Sequence, residues 1–491
     1  MVAGRGNWRL LTASAATLAL VVPLGWLWWA SLVPDTYSVM EMGVVDLGGG
    51  PAVTGHDVHD GLDASTLTGP RGGAADVEVT LVARADDIDL GDGRAVDGYT
   101  LNGTSPGPHI RLTRGDLVEV RLVNESVPDG VTLHWHGVDV PNAEDGVAGV
   151  TQNAVMVGEQ HVYRWVAEDA GTYWYHSHQV SHEQVRQGLF GTVVVQPRSA
   201  TSAEIDMLAA IHTYDGRRTV NGQVGESWRE AAPGSPVRVR VVNTDNAPLR
   251  TWVAGAPYRV AAVDGYDLNQ PTEVEDTSVL LTAGGRVDLE FTVPPDGTAA
   301  RVGTGSADTS LVVGPQGATP ASTTEPEAEL DLLDYGSPAP LGFALDDVDR
   351  RFEYRIGRSP GFLDGMPGLW WTVNGEMFPD VPMYVVREGD VVVMTIRNDS
   401  GDVHPMHLHG HDAVVVSRDG EPATGSPLWV DSLNVADGET YEIAFVADNP
   451  GIWMDHCHNL PHATEGLLAH LMYEGVTTPY EVGGEVDNSP E

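Results

Sequence analysis

The sequence predicts an all-β protein: three Greek-key β-sandwich domains in a row, behind one apolar N-terminal helix. Three observations carry this expectation. One pattern of turns and strands occurs three times along the chain. Within each occurrence, apolar and polar residues alternate over short runs broken by turn residues, and the 491 residues include 57 Gly and 32 Pro. Ahead of the first occurrence lies Leu10 to Val33, 24 residues without a charge.

Residues 1–34 form the apolar segment. At 1.5 Å per residue a 24-residue helix spans about 36 Å, enough to cross a bilayer. Arg5 and Arg9 precede the run and Asp35 follows it, which places the N-terminal end in the cytoplasm and everything after it outside. The run closes on Gly25-Trp26-Leu27-Trp28-Trp29, an interfacial aromatic belt, whereas a cleavage site calls for small residues. A retained anchor and a cleaved signal both remain open, and both make the protein extracytoplasmic. Residues 35–74 follow as a tether. Its Gly-, Asp- and Pro-rich stretch holds His56 and His59, which read as solvated side chains rather than metal ligands.

The first domain, residues 75–198, contains Thr100-Leu101-Asn102-Gly103, then Arg114-Gly115-Asp116-Leu117-Val118, then His134-Trp135-His136-Gly137. The third, residues 341–478, repeats the series as Thr372-Val373-Asn374-Gly375, Arg387-Glu388-Gly389-Asp390-Val391 and His407-Leu408-His409-Gly410. Their second halves align as well. Gly158 to Gly171 and Gly438 to Gly451 are both 13 apart, and each pair leads in 5 more residues to His176 or His456. The middle domain, residues 199–313, keeps Thr219-Val220-Asn221-Gly222 but has a single histidine, His212, so it carries no cluster. The Pro/Thr/Glu-rich stretch 314–340 reads as a linker.

Composition removes several functions. A formal net charge of −43 repels a polyanion, so a nucleic-acid binder is excluded. One cysteine permits no intrachain disulfide and no Cys₄ or Cys₂His₂ zinc module. The chain has no lysine, which removes Schiff-base chemistry and lysine bases. A genome biased toward Arg and acids, or adapted to salt, accounts for the charge without a functional cause. The sequence leaves the oligomeric state open and is compatible with a monomer.

The histidines carry the chemistry. Of 18, eight fall in four H-x-H pairs: His134/His136, His176/His178, His407/His409 and His456/His458. Side chains alternate along a strand, so each pair turns both imidazoles to one face. Satisfied core histidines would not recur at equivalent places in two repeats. The pairs therefore predict eight imidazoles meeting between domains one and three, enough for two or three metal ions. Cys457 lies between His456 and His458 and faces the other way, where His404 and His462 are available to meet it. One thiolate with two imidazoles in a β-sandwich is a blue-copper set. Zinc accepts the same set but is redox-inert and leaves the adjoining cluster unexplained. Non-haem iron asks for a carboxylate, and none is embedded in these motifs.

These motifs resemble those of the three-domain, laccase-like multicopper oxidases. The resembling residues are His134-Trp135-His136-Gly137, Tyr175-His176-Ser177-His178, the run His404 to His411, and His456-Cys457-His458 with His462; the likeness spans roughly residues 75–475. It implies cupredoxin-like domains and four coppers per chain. The type 1 ion would sit on His404, Cys457 and His462, and the type 2 ion on His134 and His407. The type 3 pair would sit on His136, His176 and His458, and on His178, His409 and His456. His411 fits no family position and reads as structural. The resemblance also implies the reaction. Single electrons from a phenol or aromatic amine would pass from the type 1 ion through Cys457, His456 and His458 to the cluster, where O₂ becomes water.

Two acidic positions and one apolar position complete the expectation. Asp145 matches the carboxylate such enzymes place beside the type 2 site for proton supply, though an Asp before Gly is also an ordinary turn residue. Residues 459–461 are Asn-Leu-Pro, so no carboxylate directly follows the His-Cys-His motif, and Glu465 is the nearest substitute. In the resembled family the axial position at the type 1 ion falls ten residues after the cysteine, here Leu467, which cannot coordinate. A metal oxidase acting on Cu(I), Fe(II) or Mn(II) is the runner-up within this chemistry. A copper-binding or electron-carrier protein, or a nitrite reductase, fits less well, because the full set of four pairs suits O₂.

Overall fold

The computed structural model describes residues 5–51, 61–199 and 205–491; His56 and His59 lie outside the described residues. A helix, Arg5–Ala30, comes first, and its apolar span Leu10–Ala30 has no face buried against the rest of the protein. Nearly all the other regular elements are strands. Residues 77–196 form two four-stranded sheets, residues 205–314 with a short added strand at Ala328–Glu329 form two six-stranded sheets, and the C-terminal region forms a six- and a seven-stranded sheet.

The repeat seen in the sequence is a repeat of turn geometry. Asn102, Asn221 and Asn374 all adopt left-handed backbone, and each is followed by a glycine that does the same. Two successive positive φ angles suit a tight hairpin turn, which is why Asn-Gly recurs there. Each Asn side chain also does the same work. Its Oδ1 accepts from the N–H of Val82, Ala210 or Arg355, and its Nδ2 donates to the carbonyl of Thr80, Leu208 or Glu353. The turn is thus tied to the preceding strand identically three times.

Two segments differ from expectation. Within the tether, Val44–Asp46 pairs in parallel with Pro382–Val386 and Leu62–Asp63 in parallel with Val476–Thr477, while Thr36–Tyr37 pairs antiparallel with Val482–Gly483. These strands are two or three residues long, too short to show a period, so only their partners in the C-terminal region specify them. The linker is likewise laid along domain two. Ala328–Glu329 pairs with Thr277–Ser278, and Leu333 and Tyr335 are buried. Beyond residue 478 the chain turns back over domain one, where the N–H of Val180 donates to the carbonyl of Ser489 at 2.6 Å.

In both outer domains the histidine-bearing strands are neighbours. His134–His136 runs antiparallel to Gly171–His176, with His134 opposite His176. His404–Leu408 runs antiparallel to Ile452–Cys457, with His407 opposite His456. Trp135 packs into the domain-one core and Cys457 into the domain-three core, the faces opposite their flanking histidines.

Candidate metal centre

Eight imidazoles meet between domains one and three, all of them buried. His134 Nε2 lies 3.3 Å from His407 Nε2, although the two residues are 273 positions apart. His409 Nε2 lies 3.1 Å from His456 Nε2, and His178 joins them in a set whose donor atoms are all within 4.8 Å. The rings of His136, His176 and His458 are centred 4.8 to 5.7 Å from one another. A second centre lies in domain three. Cys457 Sγ is 3.6 Å from His404 Nδ1 and 3.7 Å from His462 Nδ1, and the two nitrogens are 3.2 Å apart. Two donors held about 2.0 Å from one ion at a tetrahedral angle would be about 3.3 Å apart.

At His134, His176, His407 and His409 one ring nitrogen is anchored, so the other is presented inward. His134 Nδ1 and His409 Nδ1 both reach the buried carboxylate of Asp145, at 3.0 and 3.2 Å. His407 Nδ1 donates to the backbone carbonyl of Asp431 at 2.9 Å, and His176 Nδ1 to that of Ser177 at 3.0 Å. An anchored N–H fixes both tautomer and ring orientation and leaves the other nitrogen as a ligand.

The unpaired atoms test whether these residues suit a metal. Nε2 of His176, Nδ1 of His136, and both ring nitrogens of His178 and His458 are buried without a hydrogen-bond partner. Buried polar atoms are almost always satisfied, so converging orphans call for a ligand. Protonation states agree. Burial first, then neighbouring imidazoles, holds His136, His176, His407, His409 and His456 well below the usual histidine range, and His178 and His458 at about 3. Neutral imidazole is the metal-binding form. Burial also pushes the Cys457 thiol far above its usual range, so the thiolate forms there when a cation takes the proton's place. Neutral nitrogens plus one sulfur, with few carboxylates, are a donor set for copper.

His411 stands apart from both centres: its Nε2 is 2.7 Å from Tyr473 Oη and its Nδ1 is 3.1 Å from the carbonyl of His409. Leu467 is buried below Cys457, and its carbonyl accepts the Cys457 N–H at 3.1 Å. Glu465, considered above for proton supply, is not at the eight-imidazole cluster. It accepts from Trp371 Nε1 at 2.8 Å, beside His462. A distant carboxylate takes the place near the cluster: Glu491 Oε1 is 3.1 Å from His456 Nδ1, and Glu491 Oε2 accepts from Ser181 Oγ at 2.8 Å. Three further contributors escape sequence reasoning. The Trp371 ring lies 4.6 Å from that of His404 and 4.5 Å from that of His462, while Asp431 and Arg286 brace the cluster from behind. No local motif marks any of the four, because each is brought in by tertiary packing.

Comparison with known proteins agrees with this geometry. Two family models, each described as multicopper oxidase, match residues 83–200 and residues 355–475. Multicopper oxidase MmcO of Mycobacterium tuberculosis is 27% identical, over 84% of this chain and 90% of its own. Laccase-1 of Botryotinia fuckeliana is 26% identical, over 78% of this chain and 79% of its own. Among solved structures, the multi-copper oxidase from Pseudomonas thermotolerans superposes with a TM-score of 0.67 at 28% identity, covering 82% of this chain and all of that one.

Proposed function

The chain belongs to the multicopper oxidase family of copper-dependent oxidoreductases, and from that premise we propose an extracytoplasmic, laccase-like oxidase of phenols and aromatic amines that reduces O₂ to water. The carrying observation is the pairing of the Cys457–His404–His462 centre with the eight-imidazole cluster through the adjacent residues His456, Cys457 and His458. His404, Cys457 and His462 would hold a type 1 copper, and His134 with His407 a type 2 copper. His136, His176 and His458 would hold one type 3 ion, and His178, His409 and His456 the other. Bound there, the four coppers supply one-electron oxidation of a donor and four-electron reduction of O₂.

The residues divide the remaining work. Of the type 1 set only His462 is partly exposed, so a donor meets its ring edge. Ser400 Oγ accepts from His404 Nε2 at 2.8 Å and frees Nδ1 for the metal. Peptide bonds join Cys457 directly to His456 and His458, the shortest covalent bridge between the two centres. Asp145 accepts from His134 and His409 together and so joins the proposed type 2 and type 3 ligand sets. It is positioned to hold a proton where O₂ is reduced. Asp145→Asn should slow O₂ uptake several-fold, while a donor added without O₂ still bleaches the blue band at the wild-type rate; unchanged uptake would remove Asp145 from proton supply.

Leu467 would tune the oxidising strength of a copper held by His404, Cys457 and His462. A hydrocarbon at the axial position stabilises the oxidised ion less than a thioether does. Leu467→Met should lower the type 1 reduction potential and slow oxidation of poorly reducing phenols. Stability should change by under about 1.5 kcal/mol, because the two side chains are close in volume. A redox titration without a downward shift would give the axial place to another residue, with Leu468 and Met472 next to test.

A second reading, oxidation of Cu(I), Fe(II) or Mn(II), is favoured by one observation: burial holds His462 below the usual histidine range, and the carboxylates of Glu465 and Asp402 lie close enough to it to oppose that shift and to attract a cation. A retained anchor is supported by the hairpin Arg350–Leu363/Met366–Val373 of domain three. Its tip meets the helix end: Gly365 N–H donates to Ser31 Oγ at 3.1 Å, and the N–H of Val33 donates to Asp364 Oδ1 at 3.3 Å. Oxygen-electrode traces on carbonate-washed membranes and on the soluble fraction, with a phenol, Fe(II) and Cu(I) in turn, test both points. Fastest uptake with the phenol, in membranes, is expected. Activity confined to the soluble fraction would mean that the segment is cleaved, and activity with a metal ion alone would replace the substrate class.

A further inference from the structure

Domain two supplies none of the proposed copper ligands, yet it reaches the cluster. Gly284 has φ +80°, and a Cβ there would lie 2.7 Å from His136 Cε1. Only a glycine allows that approach. Two residues on, Arg286 is fully buried. Its Nη1 donates to Asp431 Oδ1 at 2.7 Å, its Nη2 donates to Asp431 Oδ2, and its Nε donates to the carbonyl of Thr172 in domain one at 3.0 Å. Gly137, which follows the His134-Trp135-His136 motif, has φ +79°, and a Cβ there would lie 2.5 Å from Asp431 Oδ2. Gly137 of domain one therefore makes room for the ion pair, and Gly284 of domain two for His136.

Asp431 in turn holds two of the proposed ligands. Its Oδ1 is 3.0 Å from His136 Nε2, where Ser432 Oγ also lies at 3.1 Å. That contact leaves His136 Nδ1, the orphaned nitrogen, facing the cluster. The backbone carbonyl of Asp431 accepts from His407 Nδ1. Asp264 of domain two completes the brace: its Oδ1 accepts the N–H of Arg286 at 2.8 Å and its Oδ2 that of Ser432 at 3.4 Å.

We propose that Arg286 is a positioning residue of the three-copper cluster: by gripping Asp431 through its two-pronged guanidinium, the copper-free middle domain fixes the orientation of His136 and His407. A planar fork on both carboxylate oxygens leaves that carboxylate no freedom to rotate, which a point charge does not achieve. Loss of the fork frees the Asp431 side chain, and with it His136 Nε2 and the peptide that anchors His407. The inference rests on the ligand assignment given above.

The test uses the full copper-loaded protein and reads copper per chain, the paramagnetic type 2 signal and the blue band. Arg286→Met should keep the blue band and hold type 2 copper roughly 10- to 100-fold more weakly. Arg286→Lys, which keeps the charge without the fork, should fall between that and wild type, and it decides the matter if the methionine variant does not fold. Arg240→Met is the control for domain docking. Arg240 is also buried at the boundary of domains one and two, with Nη1 2.8 Å from both Thr172 Oγ1 and Asp288 Oδ2, but it touches nothing that holds a ligand. It should keep the type 2 signal. A full, unchanged signal in the Arg286 variants overturns the inference, as does an equal loss in Arg240→Met. His407→Ala separates the two levels: if it leaves the type 2 signal intact, the ligand assignment itself has failed.

Discussion

Cys457→Ser should yield a folded, colourless protein with no oxidase turnover. The intense blue absorption of a type 1 site belongs to the thiolate–copper bond, and serine offers no thiolate. The side chain is small and completely buried, so the exchange removes little volume and costs on the order of 1–2 kcal/mol. His404 and His462 remain 3.2 Å apart and still bind copper, weakly and without the blue band. His134 and His407, the proposed type 2 ligands, lie on other strands, so type 2 copper should stay at its wild-type content. Turnover should fall to background, because the proposed bridge from His456 and His458 to a type 1 copper would run through this one sulfur. Blue colour retained in the variant would refute the assignment of Cys457, and loss of all copper together with the fold would show the thiol to be structural.

The centre was legible in the sequence because its chemistry is written in adjacent residues. H-x-H on a strand fixes a shared face whatever the surroundings, and the repeat placed two such pairs in each outer domain. The thiol flanked by imidazoles needed only alternation to separate the two centres. The braces were not legible. Arg286 sits 145 residues from Asp431, and Glu491 lies far along the chain from Ser181; neither pairing follows from spacing, since each depends on how domains dock. Glu465 shows the opposite error. It is near His462 in sequence, but the short helix Leu460–Thr464 carries it to Trp371, beside His462 and away from the cluster. The tether and linker strands were missed for a third reason. Two or three residues cannot display a period, and their pairing partners come within reach only after the domains have folded.

His134→Ala and His407→Ala should each remove the type 2 paramagnetic signal and O₂ reduction while leaving the blue band. The two residues are in different domains, so a shared phenotype tests the docking of domains one and three directly. Their Nε2 atoms face each other at 3.3 Å, and each opposite nitrogen is anchored, one on Asp145 and the other on the carbonyl of Asp431. With either imidazole gone, the remaining one offers a single nitrogen to an ion that needs at least two from the protein, and retention should fall by at least about a hundredfold. The blue site should survive, since none of its three ligands contacts either histidine among the described hydrogen bonds. Removal also leaves a cavity of imidazole size, which costs about 2–4 kcal/mol where the site cannot collapse. Melting temperature should therefore drop in both variants, and copper counts must be taken well below it. The informative contrast is between the two effects. A fall in stability alone, with the type 2 signal intact, would place these imidazoles in packing rather than in coordination. Bleaching of the blue band in either variant would mean that the pairing across the two domains has been assigned wrongly.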